Sequence, residues 1–515
     1  MDGDASPRPR RAARPDDARL RLADILAALS LAADLSMAFP PDHALRATLL
    51  GVGLARRLRL PEHEVADVYY AVLLRFVGCT ASAHEDAAMA GGDDIGLRAA
   101  GAKADLGNPR DMARLLLFEL APERSAFERA RLILGILAQG GRGEREMQAA
   151  HCEVGAAVAR RLRLTPGVQQ ALGQVFERWD GKGGPRRLAG EALALPVRVA
   201  HIAHVATLFD RLGGPAAAVA AVRRRAGGQF DPAIAAAFGE HGPALLAAVA
   251  AGDVWADILA AEPTPWRQLS EAQLDDAAHA FADMVDLKLP FTRGHSAGVA
   301  ALAEAGARGL GLADADAVAV RRAGLLHDLG RVAVPNGVWE KPGPLTRGEW
   351  EQVRLHPYHS ERILACSPAL APLARLAGMH HERQDGSGYY RQAAGATVPL
   401  AARLLATADA YHAMTEPRPH RPALVRSLVC IGVNYTNDEQ CTAANAIFDA
   451  GALEREHPEF AQALAAFHDP HHHPGYWREL VGQIKANLAV SPALTEAHLR
   501  RLHTPTLLIG GETDP

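Results

Sequence analysis

The sequence predicts a mainly α protein: two related helical domains followed by a short α/β segment. Three observations lead there. From about Leu20 to Pro422, apolar residues recur at helical spacing between Gly and Pro breaks, with no series of alternating strand patterns. Within that region two stretches repeat one another's histidine and carboxylate spacing. After Leu424 the texture changes to β-branched apolar runs.

Composition bounds the function. At 515 residues the chain has room for about three domains. Its 49% hydrophobic and 22% charged residues are globular values. The formal charge of -4 gives no whole-protein field that would collect nucleic acid or anionic membrane, so neither is expected as a partner and any phosphate recognition must be local. The opening residues 1–19 are charged, Pro-rich and without an apolar signal core, which reads as a solvated tail, and no run long enough to span a bilayer follows. The five cysteines include no CxxC pair, which argues against a zinc ribbon or redox motif and suits a reduced cytoplasm.

The helical region carries its own start signals. Ser270 with Gln273, and Thr346 with Glu349, are capping boxes ahead of amphipathic runs. ARRLRL (Ala55 to Leu60) recurs as ARGLGL 252 positions later, and that offset places His43 on His295 and Arg75 on His327. An offset of 205 places His151 on His356, Glu177 on Glu382, Asp180 on Asp385 and His204 on Asp409. Intervals of 32, 26 and 27 residues thus recur in order, which implies a tandem duplication over 20–268 and 269–424, with 47 extra residues in the first copy between Arg75 and His151.

The copies differ where chemistry would reside. The second offers His295, His327, Asp328, His356, His380, His381 and Asp409, a mixed nitrogen and oxygen set without thiolate that suits iron or manganese. Asp328 has two oxygens and could bridge a metal pair, which would activate a water and clamp a phosphoryl oxygen. Any one histidine alone is more often a core or surface residue. The first copy has Arg75-Phe76 in place of His327-Asp328 and Val175-Phe176 in place of His380-His381, so it is not expected to hold the same metals.

The stretches HDLGR, LHPYHSERIL, HHERQDGSGYY and ADAYHAMTEPRPHRPA resemble the HD-GYP branch of the HD-domain metal-dependent phosphohydrolases, over roughly Asp275 to Leu424. The first copy resembles the same domain in degenerate form. The resemblance implies two tandem HD-type helical domains and hydrolysis of a phosphodiester, notably cyclic di-GMP. It implies two divalent transition-metal ions, iron or manganese. His295, His327, Asp328 and Asp409 would hold one of them, and Asp328 would bridge to a second held by His356, His380 and His381. Arg331 stands where the family usually has a lysine near the scissile phosphate, and joins Asp328 as a catalytic candidate. Tyr389 would line the nucleotide pocket, and Arg418 and Arg421 would reach phosphate. Tyr390 replaces the proline of the motif, and Phe291 stands where some members have a glutamate that helps hold a third metal. A homodimer is compatible with this reading. The alternative is a nucleotide-sensing regulatory protein with weak catalysis.

The remaining segment, 425–515, resembles the late part of an α/β-hydrolase, with VRSLVCIGVNY and TPTLLIGGETDP as strands and Asp514 where a triad acid would follow the second. The histidines of HDPHHHPGYW read as loop polarity. That tail makes a serine hydrolase the third reading, because Gly294-His295-Ser296-Ala297-Gly298 fits the G-x-S-x-G pattern. The context fails, since the preceding Leu287 to Arg293 holds two charges and a proline where a buried strand is needed.

Overall fold

The computed structural model describes residues 20–138, 141–416 and Arg418, with Arg455 and Arg478 as isolated positions. The 1–19 tail, the hydrolase-like segment with Asp514 and its histidine loop, Arg421, Cys430 and Cys441 therefore lie outside the described residues. Among those described the regular structure is helical, with isolated β-bridges only. Two compact units are present. Among the described residues, one comprises those up to Gly91, Ile95–Ala280 and Ile363–Ala371; the other comprises Gly92–Asp94, Phe281–Arg362 and those from Pro372 to Glu416.

In the first unit, helices His43–Arg57, Glu62–Leu73, Leu195–Arg225 and Pro232–Ala251 pack around fully buried Leu45, Leu50, Tyr69, Ile202 and Phe238. Buried polar groups find partners. The Tyr69 hydroxyl donates to the Ile258 carbonyl (3.0 Å), and that of Tyr70 to Glu262 (2.8 Å). The extra residues between Arg75 and His151 fold as helices, among them Ala83–Met89, Pro109–Arg114 and Ala126–Ala138. Leu195–Arg225 and Pro232–Ala251 are long and apolar enough, by length and composition, to cross a membrane, which the sequence reading did not anticipate. Both are Ala-rich. The first breaks helical geometry at Gly213 and Gly214, ahead of Pro215, and carries His201 and His204 into the unit's interior.

In the second unit, helices His295–Gly309, Asp314–Leu326 and Leu400–Thr415 share a small-residue core of Val299, Ala303, Val320, Ala323, Leu405 and Ala408. Alanines let the helices approach closely, and Gly324 lets them touch: a Cβ there would lie 2.8 Å from Ala300 Cα. Both expected capping boxes form. Ser270 and Gln273 exchange side-chain to backbone bonds of 2.9 and 3.3 Å, and Thr346 and Glu349 exchange bonds of 2.6 and 3.3 Å.

Helix starts keep the sequence offsets. His43–Arg57 and His295–Gly309 begin 252 positions apart, as do Glu62–Leu73 and Asp314–Leu326; Leu195–Arg225 and Leu400–Thr415 begin 205 apart. The loop after each ER-x-DG-x-G motif is tied in the same way. Glu382 accepts from the backbone N–H of Arg391 (2.7 Å) and Ala393 (2.8 Å), and Glu177 accepts from Arg186 (2.7 Å) and Leu188 (2.8 Å).

Candidate metal centre

Each candidate ligand stands at a helix end or on a helix face that points inward. Gly294, at φ +79, turns the chain so that His295 opens its helix. Asp286 caps that start, accepting from Ser296 N (2.8 Å) and Ser296 Oγ (2.7 Å). Ser296 is therefore a buried helix-start residue locked to a carboxylate, with no imidazole recorded on its hydroxyl, and the nucleophile-elbow reading fails on geometry as well as on sequence. His327 and Asp328 end the next helix, and the short 3-10 turn Leu329–Ala333 follows. Gly330 is obligatory there, because a Cβ would sit 2.0 Å from the His356 carbonyl oxygen. Its N–H donates to Ser360 Oγ (2.8 Å), which docks the HDLGR turn on the helix that opens with His356. His380 and His381 follow helix Ala371–Ala377, and Asp409 lies on Leu400–Thr415.

The structure brings all seven expected ligands together. His356, His380 and His381 form one cluster, His295, His327 and Asp409 another, and His327, Asp328 and His380 a third, with the ligand atoms in each within 4.8 Å of one another. Asp328 is central. Its Oδ2 lies 3.2 Å from His327 Nε2 and 3.7 Å from His295 Nε2, while its Oδ1 lies 3.4 Å from His356 Nε2 and 3.7 Å from His380 Nε2. His295 Nε2 is 3.0 Å from Asp409 Oδ1. Six of the seven are buried, and His381 is partly so.

Tautomers are fixed by partners that can only accept. His327, His356 and His380 each direct Nδ1 at a backbone carbonyl, of Gly324 (2.7 Å), Val353 (2.6 Å) and Ala377 (2.6 Å). In the neutral ring the proton is thus on Nδ1, which leaves Nε2 as the nitrogen that can offer a lone pair to the interior. His356 Nε2 and His380 Nε2 then face each other at 3.0 Å, an arrangement that needs a cation or an extra proton between them. His327 Nε2 and both Asp328 oxygens are buried without a well-directed hydrogen bond. Arg331 Nη2 does approach Asp328 Oδ2 to 2.6 Å, off the hydrogen-bond axis. Buried nitrogen and oxygen atoms of this kind, with no thiolate among them, fit divalent metal ions.

The electrostatics are divided. Burial opposes charge on Asp328, but the Arg331 guanidinium and then His327 hold its carboxyl well below the usual range. Asp409 is also held well below it, against burial, chiefly by His295. His327 is raised to about 10 despite burial, because Asp328 sits beside it, and His295 is raised by Asp409 and Glu416. Burial and then neighbouring His327 push His380 down to about 3, and burial and then His380 push His381 well down. One side of the cluster holds protons when empty and the other holds lone pairs.

Arg331 is 5% exposed and lies over the Trp339 ring (5.2 Å). Tyr389 stacks on His381 with ring centroids 4.7 Å apart. Tyr390, in the position of the missing proline, donates its hydroxyl to Glu361 (2.7 Å). Arg418 instead pairs with Glu416 (3.0 and 3.2 Å) and overlies the Phe291 ring. The sequence reading missed Asp286, His412 and Glu416. The last two lie three and seven residues after Asp409, a helical spacing that could have found them.

The first unit is built differently at the corresponding positions. Arg75 donates Nη2 to the Val175 carbonyl (2.9 Å), and His151 Nε2 lies 3.2 Å from the Arg75 carbonyl. His204 bonds the Val72 carbonyl (2.9 Å) and lies 3.2 Å from His43, with Phe76 packed against the His204 ring (4.7 Å). Among the described residues, each cluster of three or more potential metal donors falls within 295–416.

Comparison with known proteins gives a family match and related phosphodiesterases. Residues 139–234 and 279–428 match the family model described as HD domain. The chain is 32% identical over 430 residues to a 3′3′-cGAMP-specific phosphodiesterase 3 of Vibrio cholerae, spanning 82% of this chain and 93% of that protein. It is 40% identical over 146 residues to a cyclic di-GMP phosphodiesterase of Pseudomonas aeruginosa, spanning 28% of this chain and 35% of that one. A crystal structure described as a cyclic GMP-AMP specific phosphodiesterase of V. cholerae aligns with a TM-score of 0.55 at 28% identity, over 87% of this chain and 97% of that one.

Proposed function

The chain belongs to the HD-domain phosphohydrolase family and is a hydrolytic enzyme, and from that premise we propose that it is a metal-dependent phosphodiesterase acting on a cyclic dinucleotide. The observation that carries this reading is the gathering of seven histidine and aspartate candidates in which Asp328 has four imidazole nitrogens within 3.7 Å of its oxygens, those oxygens and His327 Nε2 being buried without a well-directed hydrogen bond. His295, His327, Asp328 and Asp409 would hold one ion, and Asp328, His356, His380 and His381 the second. Bound there, the ions would supply Lewis acidity toward a phosphoryl oxygen and lower the pKa of water to near neutrality.

The protein groups prepare that chemistry. Carbonyls of Gly324, Val353 and Ala377 keep three imidazoles in the ligating tautomer. Arg331, held beside Asp328, presents a fixed cation to the phosphate edge of the site. Tyr389, stacked on His381, offers an aromatic edge for a base or ribose. Among cyclic dinucleotides we place 3′3′-cGAMP ahead of cyclic di-GMP. The relative aligned over 93% of its length is named for cGAMP, whereas the cyclic di-GMP relative aligns over 35% of its own.

The same reading takes the chain as a tandem duplication in which the first copy has lost its ligands. Matching helix offsets and the paired Glu177 and Glu382 loops support that. We place the enzyme in the reduced cytoplasm, with no DNA or membrane partner and as a homodimer; Cys79, Cys152 and Cys366 form no disulfide. We read 425–515 as an α/β-hydrolase-like fragment. The test of function is to load purified protein with Mn²⁺ or Fe²⁺ and assay 3′3′-cGAMP, cyclic di-GMP and a generic phosphodiester. Turnover of a cyclic dinucleotide that disappears in His327→Ala supports the reading; inactivity after reconstitution with either metal rejects it.

A further inference from the structure

Four of the five histidines proposed as ligands are held by Nδ1 in two different ways. His327, His356 and His380 each follow a helix, those ending at Leu326, Arg354 and Ala377, and each uses a carbonyl from the last turn of that helix as the acceptor for Nδ1–H. A helix C-terminus leaves its last carbonyls without intrahelical partners, so this acceptor costs the fold nothing. His356 also opens a helix but takes its acceptor from the helix before it, whereas His295 opens its helix behind the short turn Pro290–Thr292. A helix N-terminus offers unpaired N–H groups and no carbonyl.

The acceptor comes from another helix. Glu416, at the end of Leu400–Thr415, brings Oε1 to 3.0 Å from His295 Nδ1. Arg418 holds the other oxygen at 3.0 and 3.2 Å, and His412 Nδ1 lies 3.2 Å from Oε1. Room for the His412 ring exists because position 298 is glycine: a Cβ there would lie 1.9 Å from His412 Nε2. On the opposite edge of His295, Nε2 is 3.0 Å from Asp409 Oδ1. A neutral imidazole has one ring proton, and two carboxylates compete for it.

We propose that Glu416 is a positioning residue that wins this competition: by accepting the Nδ1 proton of His295 it leaves Nε2 as a lone pair facing Asp409 and Asp328, and so makes His295 a metal ligand. Without Glu416, Nδ1 faces only the His412 ring nitrogen at 3.2 Å, and Asp409, at 3.0 Å from Nε2, is the remaining carboxylate acceptor. The proton then belongs on Nε2, and His295 is lost to the site together with one oxygen of Asp409. The inference rests on the reading of this cluster as a metal centre.

Mn²⁺ titration of the metal-free full chain, followed by calorimetry and by metal count after gel filtration, tests it. Glu416→Leu fills the volume and removes the acceptor; Glu416→Gln keeps an acceptor oxygen. The expected result is two ions per wild-type chain, one of them weakened roughly 10- to 100-fold in Glu416→Leu and restored to near wild type in Glu416→Gln. Thermal melts of the metal-free proteins read folding separately. If Glu416→Leu does not fold, Glu416→Gln decides alone, and must retain both ions. Wild-type affinity at both sites in Glu416→Leu, or a loss in Glu416→Gln equal to that in Glu416→Leu, overturns the inference. A wild type that binds no Mn²⁺ overturns the metal-centre reading itself, and this inference with it.

Discussion

At the scale of single residues, the geometry of the cluster rests on which nitrogen of each imidazole faces inward. HD and HH pairs announce donors, because only a few side chains carry a suitable lone pair. Which nitrogen faces inward depends on the acceptors behind the ring: backbone carbonyls, invisible to a residue pattern, and Glu416, whose helical spacing from Asp409 is readable. Gly330 is a sharper case. The HDLGR motif displays the glycine, but its reason lies in the 2.0 Å that a Cβ would leave to the His356 carbonyl oxygen. That atom is backbone and cannot rotate away. Gly330→Ala should cost about 1–3 kcal/mol by overpacking and displace His356, seen as a lower melting temperature and loss of bound metal. A variant that melts and binds metal as wild type would show that the turn is not held this tightly.

At the scale of elements, short-range grammar carried well and long-range pairing did not. The capping boxes at Ser270 and Thr346 form because every group they need lies within four residues. The anchoring of the segment that follows the HDLGR turn is different. Lys288, with its side chain fully buried, donates Nζ to Asp94 Oδ2 (2.9 Å) across 194 positions, and Asp94 Oδ1 accepts from Asn336 N (2.7 Å). Asn336 Nδ2 returns a bond to the Lys288 carbonyl (2.8 Å). No local pattern reveals such a triad. Removing one partner of a buried ion pair leaves the other charge unpaired, so Lys288→Met should destabilise by about 3–5 kcal/mol in denaturant titration. A loss below about 1 kcal/mol would mean that water or another cation reaches Asp94.

At the scale of the whole molecule, the recurring histidine and carboxylate intervals were readable in the sequence, and the helix starts keep the same offsets. The membrane-length composition of two first-unit helices was overlooked because alanine, individually only mildly apolar, dominates them. The first unit's histidines have a consequence of their own. Burial pushes His43 and His151 down to about 3, and His201 and His204 well below their usual range. Below about pH 6.5 the unfolded chain therefore takes up protons that the native unit refuses. The stability these groups support is complete above that pH and is lost as pH falls toward about 3, at about 1.4 kcal/mol per pH unit for each histidine. His43→Phe should therefore lose about 2 kcal/mol less than wild type between pH 7 and pH 5 in chemical denaturation. An equal loss in both proteins would mean that His43 titrates freely in the native state.

The account as a whole depends on Asp328 as the carboxylate shared by the cluster. The most direct measurement is the rate of 3′3′-cGAMP hydrolysis by wild type and Asp328→Ala across a Mn²⁺ titration, with metal bound per chain counted in the same samples. The account predicts a wild-type rate that rises with metal occupancy and vanishes on chelation, and an Asp328→Ala protein that is folded, metal-poor and slower by about 100-fold or more. Hydrolysis that persists in metal-stripped wild type, or an Asp328→Ala protein with wild-type rate and occupancy, would contradict it.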